Sequence, residues 1–479
     1  MSARASQPGG RMAPAALRLW VGGLVLMAAV LRLGAARGEL WLDEIWSLQL
    51  AARLPTPLHA FGLAHDNNHI ANTLWLSVLP ADLPALAYRL PAVVAGVAMV
   101  LLAWLWSRRH GVATGLATAA LLACSLMLVH YGSEARGYGL ALGSIMLALF
   151  VLEQRLAAGA RAGSVLLFGA AVGLALFAHL SSVTAYLALG GYWLAARRPR
   201  LSSSELLREG VLLHGVPVAV GLALAAGFVR GMRIGGGFET GQLETLRDTA
   251  GFCFGLQLPP SLAWVAAAAL LALLAVGARM LWRGARAELV LYGLGVFVPV
   301  LAMALRDPRH LAPRYLLISV LFLALLSGRV LGTALAGGGV RRVAAGAALA
   351  LLLVGNLAGD FQLLRDGRGG YRAAVAHVVA QSGPGPITLT SDNDFRNPMV
   401  LAFHGRGLPG AERIRFFPAA QRPAQGTDWL ILHRIGGRGG EPQPAVRFRG
   451  HRFERASAFP SAPLSGMAWY LYRRAGPSP

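Results

Sequence analysis

Four short stretches carry side chains that can do chemistry, and each borders an apolar run. They are Trp41-Leu42-Asp43-Glu44-Ile45-Trp46-Ser47-Leu48, His65-Asp66-Asn67-Asn68-His69, Glu134-Ala135-Arg136-Gly137-Tyr138 and Pro313-Arg314-Tyr315-Leu316. A carboxylate at the rim of an apolar region loses hydration, which raises its pKa and suits it to take a proton. Asp43 and Glu44 are the candidates; neighbours on a helix, they point about a quarter turn apart, so both can reach one cavity. An arginine in such a place grips a phosphate through parallel N–H donors, which marks Arg314; Arg136, a charge at membrane depth, is a functional-site candidate because such a charge is costly. His65, Asp66, Asn68 and His69 offer donors and acceptors to sugar hydroxyls, and Asp66 with His69 are also candidate ligands for a divalent cation. Each stretch has a plainer reading too. Asp43 or Glu44 can complement a helix dipole, Asn68 can cap a helix, and Arg136 or Arg314 can anchor a membrane interface beside Tyr138 or Tyr315. Glu134 and Arg136, two apart, do not face each other on a helix.

The apolar runs set the medium. Of 479 residues, 55% are hydrophobic and 14% charged, against about 25% charged in a soluble domain. That composition belongs in a bilayer. All 44 basic side chains are arginine and the formal charge is +22. The arginines are scattered between apolar spans, which excludes the gathered basic face of a nucleic-acid binder and fits anionic lipid headgroups. Two cysteines, Cys124 in a span and Cys253 in a loop, give no disulfide framework.

Runs of about twenty apolar residues cross a bilayer. Eleven are expected, at about 15–36, 89–107, 112–130, 136–153, 163–180, 182–196, 211–229, 262–282, 288–305, 313–330 and 341–358. The first follows Arg4, Arg11 and Arg18 and reads as an uncleaved signal anchor. One set of loops carries Arg108 and Arg109, Arg155 and Arg161, Arg197, Arg198, Arg200 and Arg208, Arg283 and Arg286, and Arg341 and Arg342. The positive-inside rule makes that set cytoplasmic. The opposite loops hold Arg37, Arg53, Arg230, Arg233, Arg306, Arg309 and Arg314 as well as the four stretches above, so all the chemistry falls on the outer face.

The first outer segment, about 37–88, shows helical spacing over Asp43–Leu54 and Asn68–Leu79, as two short helices lying in the interface. A second outer loop, about 230–261, with Gly235-Gly236-Gly237 and Pro259-Pro260, reads as a mobile connection. From residue 360 the chain turns rich in Arg, Gly and Pro. A helix is expected over Tyr371–Gln381 and strands over Pro386–Thr390, Asp428–His433 and Met467–Tyr472. The expected fold is an α-helical polytopic membrane protein over residues 1–359, with a small soluble α/β domain over 360–479 outside the membrane.

In order and spacing, Trp41-Leu42-Asp43-Glu44, Asp66 with His69, Arg89-Leu90-Pro91, Tyr131 to Tyr138 and Arg314-Tyr315-Leu316 resemble the motifs of the GT-C integral-membrane glycosyltransferases. The nearest branch is glycosyltransferase family 39, with the bacterial relatives of protein O-mannosyltransferases and the aminoarabinose transferases. The resemblance covers about residues 15–330. It implies a polyprenyl-phosphate-linked sugar as donor, Asp43 as the base, Arg136 and Arg314 with Tyr315 at the lipid phosphate, and Glu44, His65, Asp66, Asn68, His69, Glu134 and Tyr138 around the pocket. It also implies inversion at the anomeric carbon. Many members have His-Pro-Pro after the second acidic residue; here Asn67-Asn68-His69-Ile70 stands in its place, which leaves acceptor and cation requirement open. The expected partners are the lipid-linked donor and membrane lipids, with an unidentified lipid, glycan or protein acceptor. A transporter or flippase of lipid-linked sugars is the main alternative, but the chain lacks the internal repeats and midplane polar groups expected of one.

Overall fold

The computed structural model describes residues 13–158, 162–233, 240–305, 311–421, 423, 425–436 and 440–475. Arg4, Arg11, Arg161, the Gly235–Gly237 run, Arg306 and Arg309 lie outside the described residues. The helices are α1 (Pro14–Ala35), α2 (Leu42–Ala52), α3 (Ile70–Ser77), α4 (Ala85–Ser107), α5 (Val112–Cys124), α6 (Leu126–Tyr131), α7 (Tyr138–Ala158), α8 (Ala162–Ala178) and α9 (Ser182–Arg197). They continue as α10 (Ser203–Gly227), α11 (Gln242–Cys253), α12 (Pro260–Gly284), α13 (Arg286–Ala304), α14 (Leu317–Leu335), α15 (Gly339–Asp366), α16 (Tyr371–Ala380) and α17 (Arg396–His404).

Every expected span coincides with helix. Among the described residues, eight helical segments are long and apolar enough to cross a membrane: α1, α4, α7, α10, α12, α13, α14 and α15. α5, α8 and α9, at 13, 17 and 16 residues, are shorter. The third expected span is not continuous. It breaks at Ser125, where the backbone leaves the helical region, and resumes as α6. A break inside apolar surroundings orphans backbone groups that must be satisfied internally. Arg32 of α1 donates to the Leu122 and Ala123 carbonyls at 3.1 and 3.2 Å, and Asn356 Oδ1 of α15 accepts the Leu126 N–H at 2.8 Å. The break lets α6 run on into the turn that holds Glu134 and Arg136. The loop expected to be a mobile connection contains the twelve-residue helix α11, so that expectation is corrected.

Beyond α15, the described residues form six strands: β1 (Ile387–Ser391), β2 (Ile414–Phe416), β3 (Trp429–Ile435), β4 (Ala445–Phe448), β5 (His451–Phe459) and β6 (Met467–Arg474). They form one sheet in the order β2-β1-β3-β6-β5-β4, parallel across β2, β1 and β3 and antiparallel beyond. The three strands expected from sequence are β1, β3 and β6. This sheet does not keep its core to itself. Leu42 and Ile45 of α2 belong to the same buried cluster as Val375, Val400, Trp429 and Trp469. The apolar stripe of α2 thus faces the C-terminal domain, and its acidic first turn is left facing the segments around Arg136 and Arg314.

Candidate active site

Asp43 stands in the first turn of α2, a place the helix dipole favours for an anion. Its Oδ2 lies 2.9 Å from Arg136 Nη1 and 3.3 Å from Arg314 Nη1. The three side chains come from three segments far apart in sequence. They are partly enclosed: Asp43, Arg136 and Arg314 keep 14%, 5% and 24% side-chain exposure. Asn67 braces the group. Its Nδ2 donates to the Asp43 carbonyl and Ser47 Oγ, each at 3.0 Å, and its Oδ1 accepts from Arg136 Nη2 at 2.9 Å. Asn67 therefore orients both Asp43 and Arg136, and it is a residue that the sequence reading passed over in favour of its neighbours.

Two cavities meet at this ion pair. One, of about 270 Å³, is lined by Arg136, Arg314, Tyr138, Tyr315, Asp66, Asn68, His69 and His179 at its polar end. Its other wall is apolar, with Leu176, Phe177, Leu180, Val183, Phe228 and Met303. The second, of about 260 Å³, is lined by Asp43, Arg314, Trp41, Trp46, Asp248 and Gln257 together with Asn393, Phe395 and Arg396 of the C-terminal domain. Arg314 borders both.

His69 is fully enclosed. Burial, with the charge of Arg136 and the ring of His179 beside it, holds its imidazole well below the usual value, so it is neutral. The Gly137 N–H donates to its Nδ1 at 3.1 Å, and Arg136 Nη2 is 3.3 Å from Nε2. With one ring nitrogen engaged and the other facing a guanidinium, His69 is not placed to ligate a cation. Among the described residues no three His, Cys, Asp or Glu side chains gather as a metal site. His65 Nδ1 lies 3.0 Å from Asp66 Oδ1 and its ring packs edge-on against Trp46. Asn68 Nδ2 donates to the Ala60 and Leu63 carbonyls at 2.7 Å, tying its own loop. Tyr138 lies under the Arg136 guanidinium at 5.0 Å and against His179 at 4.6 Å; the Arg314 guanidinium sits 5.7 Å from the Tyr315 ring.

Three expected site residues lie elsewhere: His65 lines neither cavity, and Glu44 and Glu134 turn away from both. Glu44 is fully buried and bidentate to Arg89, with Oε1 2.7 Å from Nε and Oε2 2.6 Å from Nη2. It also accepts the Ala135 N–H at 2.7 Å and the Trp41 N–H at 3.2 Å. The expectation that it shares the cavity with Asp43 is corrected: its carboxylate fixes the backbone next to Arg136. Glu134 likewise turns from the cavity. Its Oε1 is 3.3 Å from Arg368 Nε and bonds Ser465 Oγ. Burial opposes its charge, but His130, Arg368 and Arg136 hold its carboxyl well below the usual carboxylate range. The Ala135 carbonyl accepts from Asn72 Nδ2 at 2.8 Å. The turn is thus pinned at Glu134, at the N–H and carbonyl of Ala135 and at the Gly137 N–H, and Arg136 is aimed at Asp43. Close approach completes it, since a Cβ on Gly137 would lie 1.8 Å from the Ala178 carbonyl oxygen.

No protein-family model matches the chain, and no curated protein matches it by sequence. Solved structures do. The crystal structure of ArnT from Cupriavidus metallidurans bound to undecaprenyl phosphate superposes with a TM-score of 0.51 at 12% identity, over 96% of this chain and 100% of that one. The same protein in the apo state gives 0.51 at 13% identity, over 97% and 100%. The chain shares its fold with these structures over nearly its whole length, the helical part and the C-terminal sheet together.

Proposed function

We propose that this protein transfers a sugar from a polyprenyl-phosphate-linked donor to an acceptor hydroxyl. The observation that carries the reading is the Asp43 carboxylate clasped by Arg136 and Arg314 where two cavities meet. The fold neighbour bound to undecaprenyl phosphate supports the donor class. The half-apolar cavity takes the first isoprene units and the phosphate, with the phosphate between Arg136 and Arg314. The second cavity takes the acceptor. Asp43 receives the proton of the attacking hydroxyl, a new C–O bond forms at the anomeric carbon, and the polyprenyl phosphate leaves with the electron pair of the broken bond. Attack from the side opposite the phosphate inverts that carbon. Guanidinium groups aimed at the phosphate stabilise the charge that develops on it, the term that usually dominates such catalysis. A transporter needs no carboxylate at the junction of two cavities.

The arginine-rich ends of α4, α9 and α10 lie at the opposite end of the bundle from Asp43, where Arg109 pairs with Glu288 at 3.1 Å and Arg155 with Glu209 at 3.3 Å. The positive-inside rule then puts Asp43 and the C-terminal domain at the outer face of the cytoplasmic membrane.

The test is transfer of labelled sugar from polyprenyl-phosphate donors by purified protein, with a panel of acceptors, wild type beside Asp43→Asn. Loss of transfer in a folded variant supports the reading; full transfer in the variant removes Asp43 as base. A chelator is expected to leave the rate unchanged, because the donor set around His69 does not suit a cation.

A further inference from the structure

The second cavity lies at one end of the C-terminal sheet, where β3 finishes at Ile435. The other end of the sheet holds a separate, open trough of about 700 Å³, beside the loop that follows α16. β3 runs from Trp429 in the trough to Ile435 in the cavity, and at about 3.3 Å per residue the two lie about 20 Å apart. The spanning helices meet the domain at the cavity end, where Tyr131 and His130 bond Leu464 and Ser465. The trough is therefore on the far side of the domain from those helices. Lipid headgroup charge, which salt screens within about 10 Å, does not reach it.

The charge of this trough is unequal. Among the described residues that line it, Arg452, Arg473, Arg474 and the imidazole of His451 stand against one carboxylate, Asp428. That carboxylate is shared: it accepts from Thr388 N–H and Oγ1 at 3.1 and 2.6 Å and lies 4.0 Å from Arg474 Nη2. The sheet register adds to the excess. Arg447 lies directly opposite Arg452, and Glu454 directly opposite Arg473, all four of them exposed. Like charges in that relation disfavour the sheet unless an anion lies between them. Glu454 also pairs with Arg452 at 3.1 Å, but the two side chains are 59% and 58% exposed, and a pair so open to water contributes little. With Asp428 and Glu454 both counted, Arg447, Arg452, Arg473 and Arg474 still outnumber them two to one.

The turn from β4 to β5 is a second sign. Its two residues, Arg449 and Gly450, have φ of +53° and +87°. Such a turn favours asparagine or glycine at its first position. An exposed arginine stands there instead, next to the glycine that lines the trough.

The surface suits a flexible anionic chain. Single-stranded nucleic acid asks for rings on which bases stack, and the tryptophan of the trough, Trp429, is 1% exposed. A peptide that extends a sheet asks for an open strand edge, whereas Arg452 and Arg473 lie on inner strands. Bare backbone at Gly383, Gly385 and Gly450 leaves room for sugar hydroxyls beside the guanidinium groups. Resting on the transferase reading for the choice of a glycan, we infer that this trough binds an anionic glycan chain through its carboxylate or phosphate groups, about 20 Å from the reacting hydroxyl.

The experiment uses the full-length protein in detergent, with fluorescence anisotropy of labelled chains as readout. The probes are oligogalacturonate, poly(glycerol phosphate), dextran and polyglutamate of similar length. The two anionic probes that carry hydroxyls are expected to bind at least about tenfold more tightly than dextran, a difference of about 1.4 kcal/mol. Which of the two binds tighter tells whether carboxylate or phosphate is preferred. Replacing both Arg452 and Arg473 by Gln is expected to remove about tenfold of that affinity, and Glu454→Gln to increase it about threefold. Replacing the exposed Arg341 and Arg342, at the start of α15, by Gln is the control for net charge and leaves binding within about twofold. An unchanged thermal midpoint reports that each variant is folded. Equal binding of dextran, undiminished binding by the folded Arg452 and Arg473 variant, or an equal loss in the Arg341 and Arg342 control overturns the inference. Polyglutamate binding more tightly than either glycan-like chain overturns it in favour of an acidic protein. Hydrolysis of a lipid-linked donor by wild-type protein tests the transferase reading separately, and the trough variants are expected to keep it. Donor cleavage without preference for anionic chains rejects the trough alone; binding of anionic chains without donor cleavage rejects the reading beneath it.

Discussion

On the transferase reading proposed above, Asp43 and a donor phosphate compete for the same two guanidinium groups. A phosphate brings more charge and more acceptor oxygens than a carboxylate, so its arrival draws Arg136 and Arg314 from Asp43 and frees that carboxylate to accept a proton. Two effects of opposite sign follow from Asp43→Asn. Transfer is expected to fall by about 10²–10⁴-fold, the usual contribution of a general base. Binding of undecaprenyl phosphate is expected to tighten, because an anionic competitor is gone. Titration with a fluorescent undecaprenyl phosphate checks the second effect, and weaker binding in the variant would rule out the competition. His69 gives a pH dependence. Its folded-state value is depressed, so as pH falls the unfolded chain takes a proton first, near its ordinary value of about 6.5. Stability present above that pH is therefore lost on acidification. The thermal midpoint is expected to drop between about pH 7 and about pH 5, and His69→Gln to flatten that slope; an unchanged slope would show that His69 is not the group responsible. At this scale the sequence was readable for Asp43, Arg136 and Arg314, because charges at a membrane rim are costly and few. It could not separate Asp43 from Glu44. Adjacent on one helix, they differ only in which far-off partner each meets, and Arg89 is 45 positions from Glu44.

The elements that matter most are α2 and the turn between α6 and α7, joined by the buried Glu44–Arg89 pair. Glu44 serves four donors at once, so removing its charge strands Arg89 in an enclosed site. Glu44→Gln is expected to cost about 3 kcal/mol or more of stability, whereas Asp43→Asn, at a partly open site, costs less. Thermal denaturation of both variants in the same detergent decides this, and an equal or smaller loss for Glu44→Gln would contradict the structural role. The long helices were legible as apolar runs of bilayer length, and α2, α3 and α16 from their 3.6-residue stripe. The break at Ser125 was not, since its orphaned groups are satisfied by Arg32 and Asn356 from distant helices. Nor was β5. Its sequence His451-Arg452-Phe453-Glu454-Arg455 offers few apolar side chains, and within the strand only Phe453 is buried. Its place comes from pairing with β6, a cue that local pattern does not hold.

Across the whole molecule, the C-terminal domain is tied to the turn that carries Arg136 through buried charge. Arg368, just after α15, donates to the His130 carbonyl at 2.7 Å, to Ser133 Oγ at 3.0 Å and to the Ala35 carbonyl at 2.9 Å, and it faces Glu134 at 3.3 Å. Ser465, from the loop before β6, bonds both His130 and Glu134. That loop needs its glycine: Gly466 has φ +100°, and a Cβ there would lie 2.1 Å from the Arg368 carbonyl oxygen. Glu134, Arg368 and Ser465 are all essentially excluded from solvent, so none of them can be compensated by water. The domain is therefore expected to act as part of the scaffold of Arg136 as well as a wall of the second cavity. Arg368→Met leaves the Glu134 charge short of its counter-ion, at a cost of about 3–5 kcal/mol. Adding Glu134→Gln removes the stranded charge, so the double variant is expected to be more stable than Arg368→Met alone, with a coupling of at least about 1 kcal/mol. Thermal denaturation of the two single variants, the double variant and the wild type as full chains closes the cycle. Additive losses would mean that Glu134 and Arg368 stabilise the fold independently, and that the domain does not hold the turn through this pair.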